Sequence, residues 1–132
     1  MNALPRLYAI ADAAFGDPAR LAASLIAGGA RLIQIRDKGA SPRELFDEVE
    51  QITASAPADV RLIVNDRVDI ARVTGAAGAH VGQRDLPPAA ARLVLGPDGI
   101  VGFSTHNVEQ ALEGDNCGAG FLALREDPGE HA

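Results

Sequence analysis

Apolar positions in this chain fall in short runs, and each run stops on a polar cluster. Leu32-Ile33 leads into Gln34-Ile35-Arg36-Asp37-Lys38, and Leu62-Ile63-Val64 leads into Asn65-Asp66. Residues 79–81 lead into Gly82-Gln83-Arg84-Asp85, and residues 100–103 into Ser104-Thr105-His106-Asn107. These runs read as short buried strands. Between them the apolar period lengthens to that of helices. Asp17 is a natural N-cap, Pro18 a first helical residue and Gly28-Gly29 a stop, so a helix is predicted over 18–27 with Leu21, Leu25 and Ile26 on one face. Ser41-Pro42-Arg43-Glu44 is a capping box that opens a second helix, turning Leu45, Phe46, Val49 and Ile52 inward. Further helices are predicted over 67–73, over 88–95 and from Asn107 through Gln110 and Leu112. The expected strands are 7–11, 32–35, 61–64, 79–81, 100–103 and 121–124. Strand alternates with helix throughout, which predicts an α/β fold with a parallel sheet and right-handed crossovers.

Polar side chains gathered at one end of successive parallel strands mark the rim of an α/β active site. Composition narrows what that rim could serve. The 132 residues suffice for one domain with a single core, and no linker or low-complexity tract divides them. A net charge of −6 argues against nucleic acid or anionic membrane as the main partner. Lys38 is the only lysine, and it stands in the first polar cluster. Lone Cys117 cannot form an intrachain disulfide, residues 1–10 are too short an apolar run for a signal peptide, and no stretch approaches the ~20 apolar residues of a membrane span. A soluble cytoplasmic protein is expected, with residues 125–132 a polar, disordered tail after a folded region of 1–124.

Gln34, Arg36 and Lys38 alternate as they leave the second strand, so all three can enter one space. A guanidinium, an ammonium and an amide suit a diphosphate or another polyanion. The same residues also fit a solvated basic turn paired with Asp37. Asp66 and Asp85 follow adjacent strands and could share Mg²⁺ with a substrate diphosphate, although Asp66 could equally cap the next helix. Asn107 or Thr105 is a natural N-cap, while Ser104 would point to the top of the sheet, within reach of a ligand. No base motif adjoins that serine in the sequence, so a serine hydrolase is not expected. His80 is mid-strand and reads as a core histidine, His106 as a surface one; three scattered histidines and one cysteine give no zinc spacing. Gly28, Gly29, Gly75 and Gly78 follow helices and read as stops.

In order and spacing these motifs resemble thiamine-phosphate synthase. The resemblance is carried by Leu7-Tyr8-Ala9-Ile10, by Gly29 with the Gln34–Lys38 cluster, and by Leu62-Ile63-Val64-Asn65-Asp66-Arg67-Val68-Asp69-Ile70-Ala71. Gly78-Ala79-His80-Val81-Gly82-Gln83-Arg84-Asp85-Leu86-Pro87 and Gly102-Phe103-Ser104-Thr105-His106-Asn107 continue it, so that it covers residues 6 to about 113. The resemblance implies a (β/α)8 barrel enzyme of thiamine biosynthesis. It joins hydroxymethylpyrimidine diphosphate to thiazole phosphate, releasing diphosphate. It further implies that Gln34, Arg36, Lys38 and Asn65 hold the pyrimidine diphosphate, that Asp66 and Asp85 bind Mg²⁺, and that Ser104 contacts the pyrimidine. In that family the metal and the cations assist departure of diphosphate, leaving a pyrimidine cation for the thiazole nitrogen.

Five βα units and a sixth strand are fewer than the eight of a complete barrel. The family's Thr-x-Thr-Lys segment after the sixth strand has no counterpart in Arg125-Glu126-Asp127-Pro128. The expectation is therefore a partial barrel from a C-terminally truncated member, which alone makes thiamine phosphate slowly or not at all and which self-associates through open edges. Two other readings remain at this level. One is a non-catalytic binding or assembly module that keeps only the diphosphate and Mg²⁺ half-site. The other is a five-stranded doubly wound phosphoacceptor domain using Asp12.

Overall fold

The computed structural model describes residues 4–116 and 121–124. Six strands form one sheet: β1 (Ala9–Asp12), β2 (Leu32–Arg36), β3 (Arg61–Asn65), β4 (Gly78–Val81), β5 (Ile100–Thr105) and β6 (Phe121–Leu124). They alternate with α1 (Pro18–Ala27), α2 (Pro42–Ser55), α3 (Val68–Thr74), α4 (Pro88–Leu95) and α5 (Val108–Asn116). Every pairing is parallel, and the order in space is the order in sequence, β1-β2-β3-β4-β5-β6. A doubly wound sheet reverses its strand order at a switch point. This one never does, which removes the phosphoacceptor reading and leaves a barrel-type progression. Cys117 and residues 125–132, including the expected tail, lie outside the described residues.

Helix boundaries follow their caps. Asp17 accepts from the Arg20 N–H at 3.2 Å, and Ser41 and Glu44 close their box with bonds of 3.1 Å each. The predicted spans of α1, α4 and β6 agree with the observed ones. A one-turn 3-10 helix at Ala13–Phe15, capped by Asp12, was not anticipated from the pattern.

The two faces of the sheet differ in chemistry. Ile33, Ile35, Leu62, Val64, Ala79, Val81, Val101 and Phe103 join Leu45, Val49, Ile52, Val68 and Ala91 of the helices in one apolar core. Because side chains alternate along a strand, the other face carries Ile10 and Asp12, then Leu32, Gln34 and Arg36, then Ile63 and Asn65, then His80, then Ser104. Its middle layer is polar yet buried, and the Arg36, Asn65 and Thr105 ends of the strands share one edge. A packed core behind and a polar face in front position a site at the C-terminal end of the sheet.

Candidate active site

The site grows from the loops that follow β2, β3 and β4. Beyond β2, Lys38 reaches across to β3 and places its Nζ 2.6 Å from Asp66 Oδ2. Arg36, the last residue of β2, turns its Nε towards Asp12 Oδ2 of β1, 3.4 Å away. After β4 the chain folds back on itself. The Asp85 carboxylate accepts the Gly82 N–H at 2.7 Å, and the Asp85 N–H returns to the Gly82 carbonyl at 3.3 Å. A Cβ at Gly82 would stand 3.3 Å from that carboxylate oxygen, so the bare glycine lets the carboxylate close in.

Asp66 does not cap the following helix. Arg67 holds the N-cap position of α3 and contributes no side-chain cap, while the Asp66 backbone sits at φ 65°. The Arg67 N–H bonds the Asn65 carbonyl at 2.8 Å, which makes Asp66 the centre of a three-residue turn of the rare, strained hand. The Asp66 N–H is anchored to the His80 carbonyl at 2.8 Å. This turn aims the carboxylate at the rim instead of along the helix.

The Asp66 and Asp85 carboxyls act on one another's charge. Burial pushes Asp85 above the usual carboxylate range, opposed by the Gly82 N–H and reinforced by the Asp66 carboxylate. Burial pushes Asp66 the same way, but the bonds from Lys38 and Asp85 and the charges of Lys38 and Arg36 outweigh it and hold Asp66 low. Among the described residues no cluster of three or more His, Cys, Asp or Glu side chains could hold a metal. Two facing carboxylates are too few for a closed zinc site. They match the sparse protein share of Mg²⁺ coordination, in which waters and phosphate oxygens complete the octahedron.

Beneath this rim a hydrogen-bonded chain crosses the polar face. Gln34 Nε2 donates to Tyr8 Oη at 2.7 Å; Tyr8 Oη lies 3.4 Å from His80 Nδ1; His80 Nε2 lies 2.6 Å from Ser104 Oγ. Burial pushes the Tyr8 phenol up to about 12, against the Gln34 bond. Burial also lowers His80 to about 4, with Asp66 acting against the shift and Arg36 with it. His80 is thus neutral at physiological pH. It is a buried histidine, as its mid-strand place predicts, with Tyr8 facing one ring nitrogen and Ser104 the other. Asn107, not Thr105, caps α5 by accepting the Gln110 N–H at 2.9 Å. Thr105 extends β5 instead, and its hydroxyl donates to the Ala123 carbonyl of β6 at 3.1 Å.

The structure thus brings Lys38, Asp66 and Asp85 into one cluster, with Arg36 beside it, and joins Gln34 to Ser104 through two residues. Asn65 is buried at the end of β3, next to His80 in the sheet register. Tyr8 and Asp12 join the site although neither belongs to the polar clusters at the strand ends. Their signal was the alternation 8, 10, 12, which carries both onto the polar face.

The family described as thiamine monophosphate synthase matches residues 7–124 of this chain. The chain belongs to that family. A thiamine-phosphate synthase of Koribacter versatilis is 45% identical over 128 residues, covering 92% of this chain and 61% of the relative. Its counterpart in Clostridium novyi is 39% identical over 125 residues, with coverages of 90% and 60%. Among solved structures, thiamine phosphate pyrophosphorylase from Pyrococcus furiosus is similar with a TM-score of 0.81 and 31% identity, over 89% of this chain and 58% of that one. The chain therefore spans about 60% of the length of these relatives. The family match takes in all six strands and every site residue named above.

Proposed function

We propose that this chain carries the diphosphate and pyrimidine half of a thiamine-phosphate synthase site. The activity it serves joins a hydroxymethylpyrimidine diphosphate to a thiazole phosphate. The observation that carries this reading is the convergence of Lys38, Asp66 and Asp85 at the strand-end rim, beside Arg36. In it Arg36 and Lys38 bind the diphosphate and stabilise the charge that grows as the bond from the pyrimidine methylene to oxygen breaks. Asp66 and Asp85 would hold Mg²⁺, which when bound would supply positive charge against the diphosphate.

Gln34, Asn65 and Ser104 orient the pyrimidine. The chain from Gln34 to Ser104 supports this assignment. With Gln34 donating to Tyr8, the phenol proton goes to His80 Nδ1, the Nε2 proton to Ser104, and the serine proton to a ring nitrogen of the ligand. A neutral His80 is what such an order needs, since an imidazolium would donate at both nitrogens and break it.

Calorimetry with inorganic diphosphate tests the rim. Binding is expected in the presence of Mg²⁺ and should be lost on adding a chelator. Equal affinity with and without the metal would remove Asp66 and Asp85 from the role of cation ligands.

A further inference from the structure

We propose that Lys38 is a tethered counter-ion for Asp66, which has to leave that carboxylate before a divalent cation can enter and which moves to the diphosphate when it does. The proposal deepens the reading of Asp66 and Asp85 as cation ligands, and it rests on that reading.

The two partners of the contact are built differently. Asp66 is fixed: its N–H is bound to the His80 carbonyl, its neighbours close the strained turn at φ 65°, and its side chain is only 25% exposed. Lys38 is a loop residue on a flexible four-carbon stem, with a side chain 58% exposed. The carboxylate is therefore a fixed socket and the ammonium a removable plug. At 2.6 Å the ammonium occupies Oδ2 of Asp66, and its charge repels a dication approaching that carboxylate. Asp85 is held separately by the Gly82 N–H. On the far side, Arg36 is engaged with Asp12, so Lys38 is the cation in direct contact with Asp66.

A diphosphate changes the balance by offering the ammonium an alternative anion a short swing away. Metal and diphosphate should then help one another to bind, and by linkage each must help the other equally. Part of that coupling runs through the movement of one side chain. Lys38 thus weakens the metal in the absence of diphosphate and strengthens the site in its presence.

Lys38 is the only lysine in the chain, so a protein grown with ¹³Cε-lysine gives a single side-chain NMR signal that reports the contact directly. That signal should shift as Mg²⁺ alone is titrated in, and Asp66→Asn without metal should reproduce the shifted position. In calorimetry with Mg²⁺ alone, Lys38→Met should bind about two- to fivefold more tightly than the wild type, the range of a partly exposed ion pair. A lysine signal that stays put while Mg²⁺ saturates the wild type, or a Lys38→Met protein that binds Mg²⁺ no better, overturns this proposal alone. Failure of both proteins to bind Mg²⁺ overturns the proposal together with the metal reading beneath it.

Discussion

Asp66 is, among the described residues, the one non-glycine with a positive φ. Aspartate tolerates that region better than most residues, and the structure uses the tolerance to turn a natural capping side chain away from its helix. In the sequence Asn65-Asp66 before a helical pattern looks the same whether or not Asp66 caps. The backbone turn decides the matter, and residue types alone do not show it. The basic side of the rim was more legible, because the alternation of Gln34, Arg36 and Lys38 is set by strand geometry. Arg36→Ala should weaken the binding of diphosphate in Mg²⁺ by about 1.5–3 kcal/mol, the value of a charge-assisted hydrogen bond. Calorimetry gives the loss, and an unchanged far-UV spectrum shows that the fold is intact; a collapsed spectrum would assign Arg36 to structure.

Two other residues set opposing pH dependences. His80 titrates near 6.5 unfolded and about 4 folded, so its contribution to stability is full above pH 6.5 and is lost as pH falls toward 4. For a buried side chain that shift is worth on the order of 3 kcal/mol. Glu48 on α2 behaves in the opposite sense. Burial, then the facing Asp37 carboxyl, with Asp17 and Glu44 beyond it, push Glu48 up to about 7, and its buried Oε2 has no hydrogen-bond partner among the described residues. Its contribution is present below pH 4.5 and is lost as pH rises through 7. The two slopes offset each other between pH 4.5 and 6.5. Glu48→Gln removes one of them, so urea unfolding across pH 4–8 should show a steeper acid loss than in the wild type and a higher stability at pH 8. Parallel curves would show that Glu48 ionises as an ordinary surface carboxylate.

At the scale of the elements, local chemistry made most of the fold readable. Caps at Asp17 and Ser41 and the proline at the start of α4 marked helix starts, and apolar runs marked strands. Strand ends depart from the apolar runs where pairing with a neighbour sets them. β5 continues through Ser104 and Thr105 because β6 pairs with them, and β1 begins at Ala9 and ends at Asp12, two residues later at its start than the apolar run suggested. Gly78 shows a different limit. It reads as a helix stop after α3, yet it is the first residue of β4, where the Ile100 backbone of β5 comes so close that any Cβ would collide with its carbonyl. Gly78→Ala must push β4 and β5 apart and should destabilise the protein by about 1–3 kcal/mol or more, the usual range for overpacking. The control is Gly39→Ala, where a Cβ meets nothing within 4 Å. A Gly78→Ala protein that unfolds at the wild-type denaturant concentration would show that the strands yield freely.

For the whole molecule the decisive property is that the six described strands form an open parallel sheet, with β1 and β6 at its edges. A parallel sheet is stable when both faces are covered, and here the helices cover one. On the other face burial is uneven: Leu32 and Ile63 are shielded by their neighbours, but Ile10 on edge strand β1 is 50% exposed, and Leu7 just before it is exposed too. An edge strand of this kind offers unpaired backbone donors and acceptors beside apolar side chains, the combination that recruits another chain. The acidic net charge of −6 opposes association, but charge repulsion is screened within roughly 8 Å at physiological salt and does not protect a contact once it forms. The 132-residue polypeptide should therefore form dimers or larger assemblies. Light scattering over a concentration series should show a mass that rises with concentration, and Ile10→Lys, which places a charge on the edge, should reduce it. Lysine at position 10 lies on the polar face but outside the Lys38, Asp66 and Asp85 cluster, so diphosphate binding in Mg²⁺ serves as the check that the site survives. A wild-type chain that stays monomeric at high concentration would mean that the β1 edge is protected within the monomer itself.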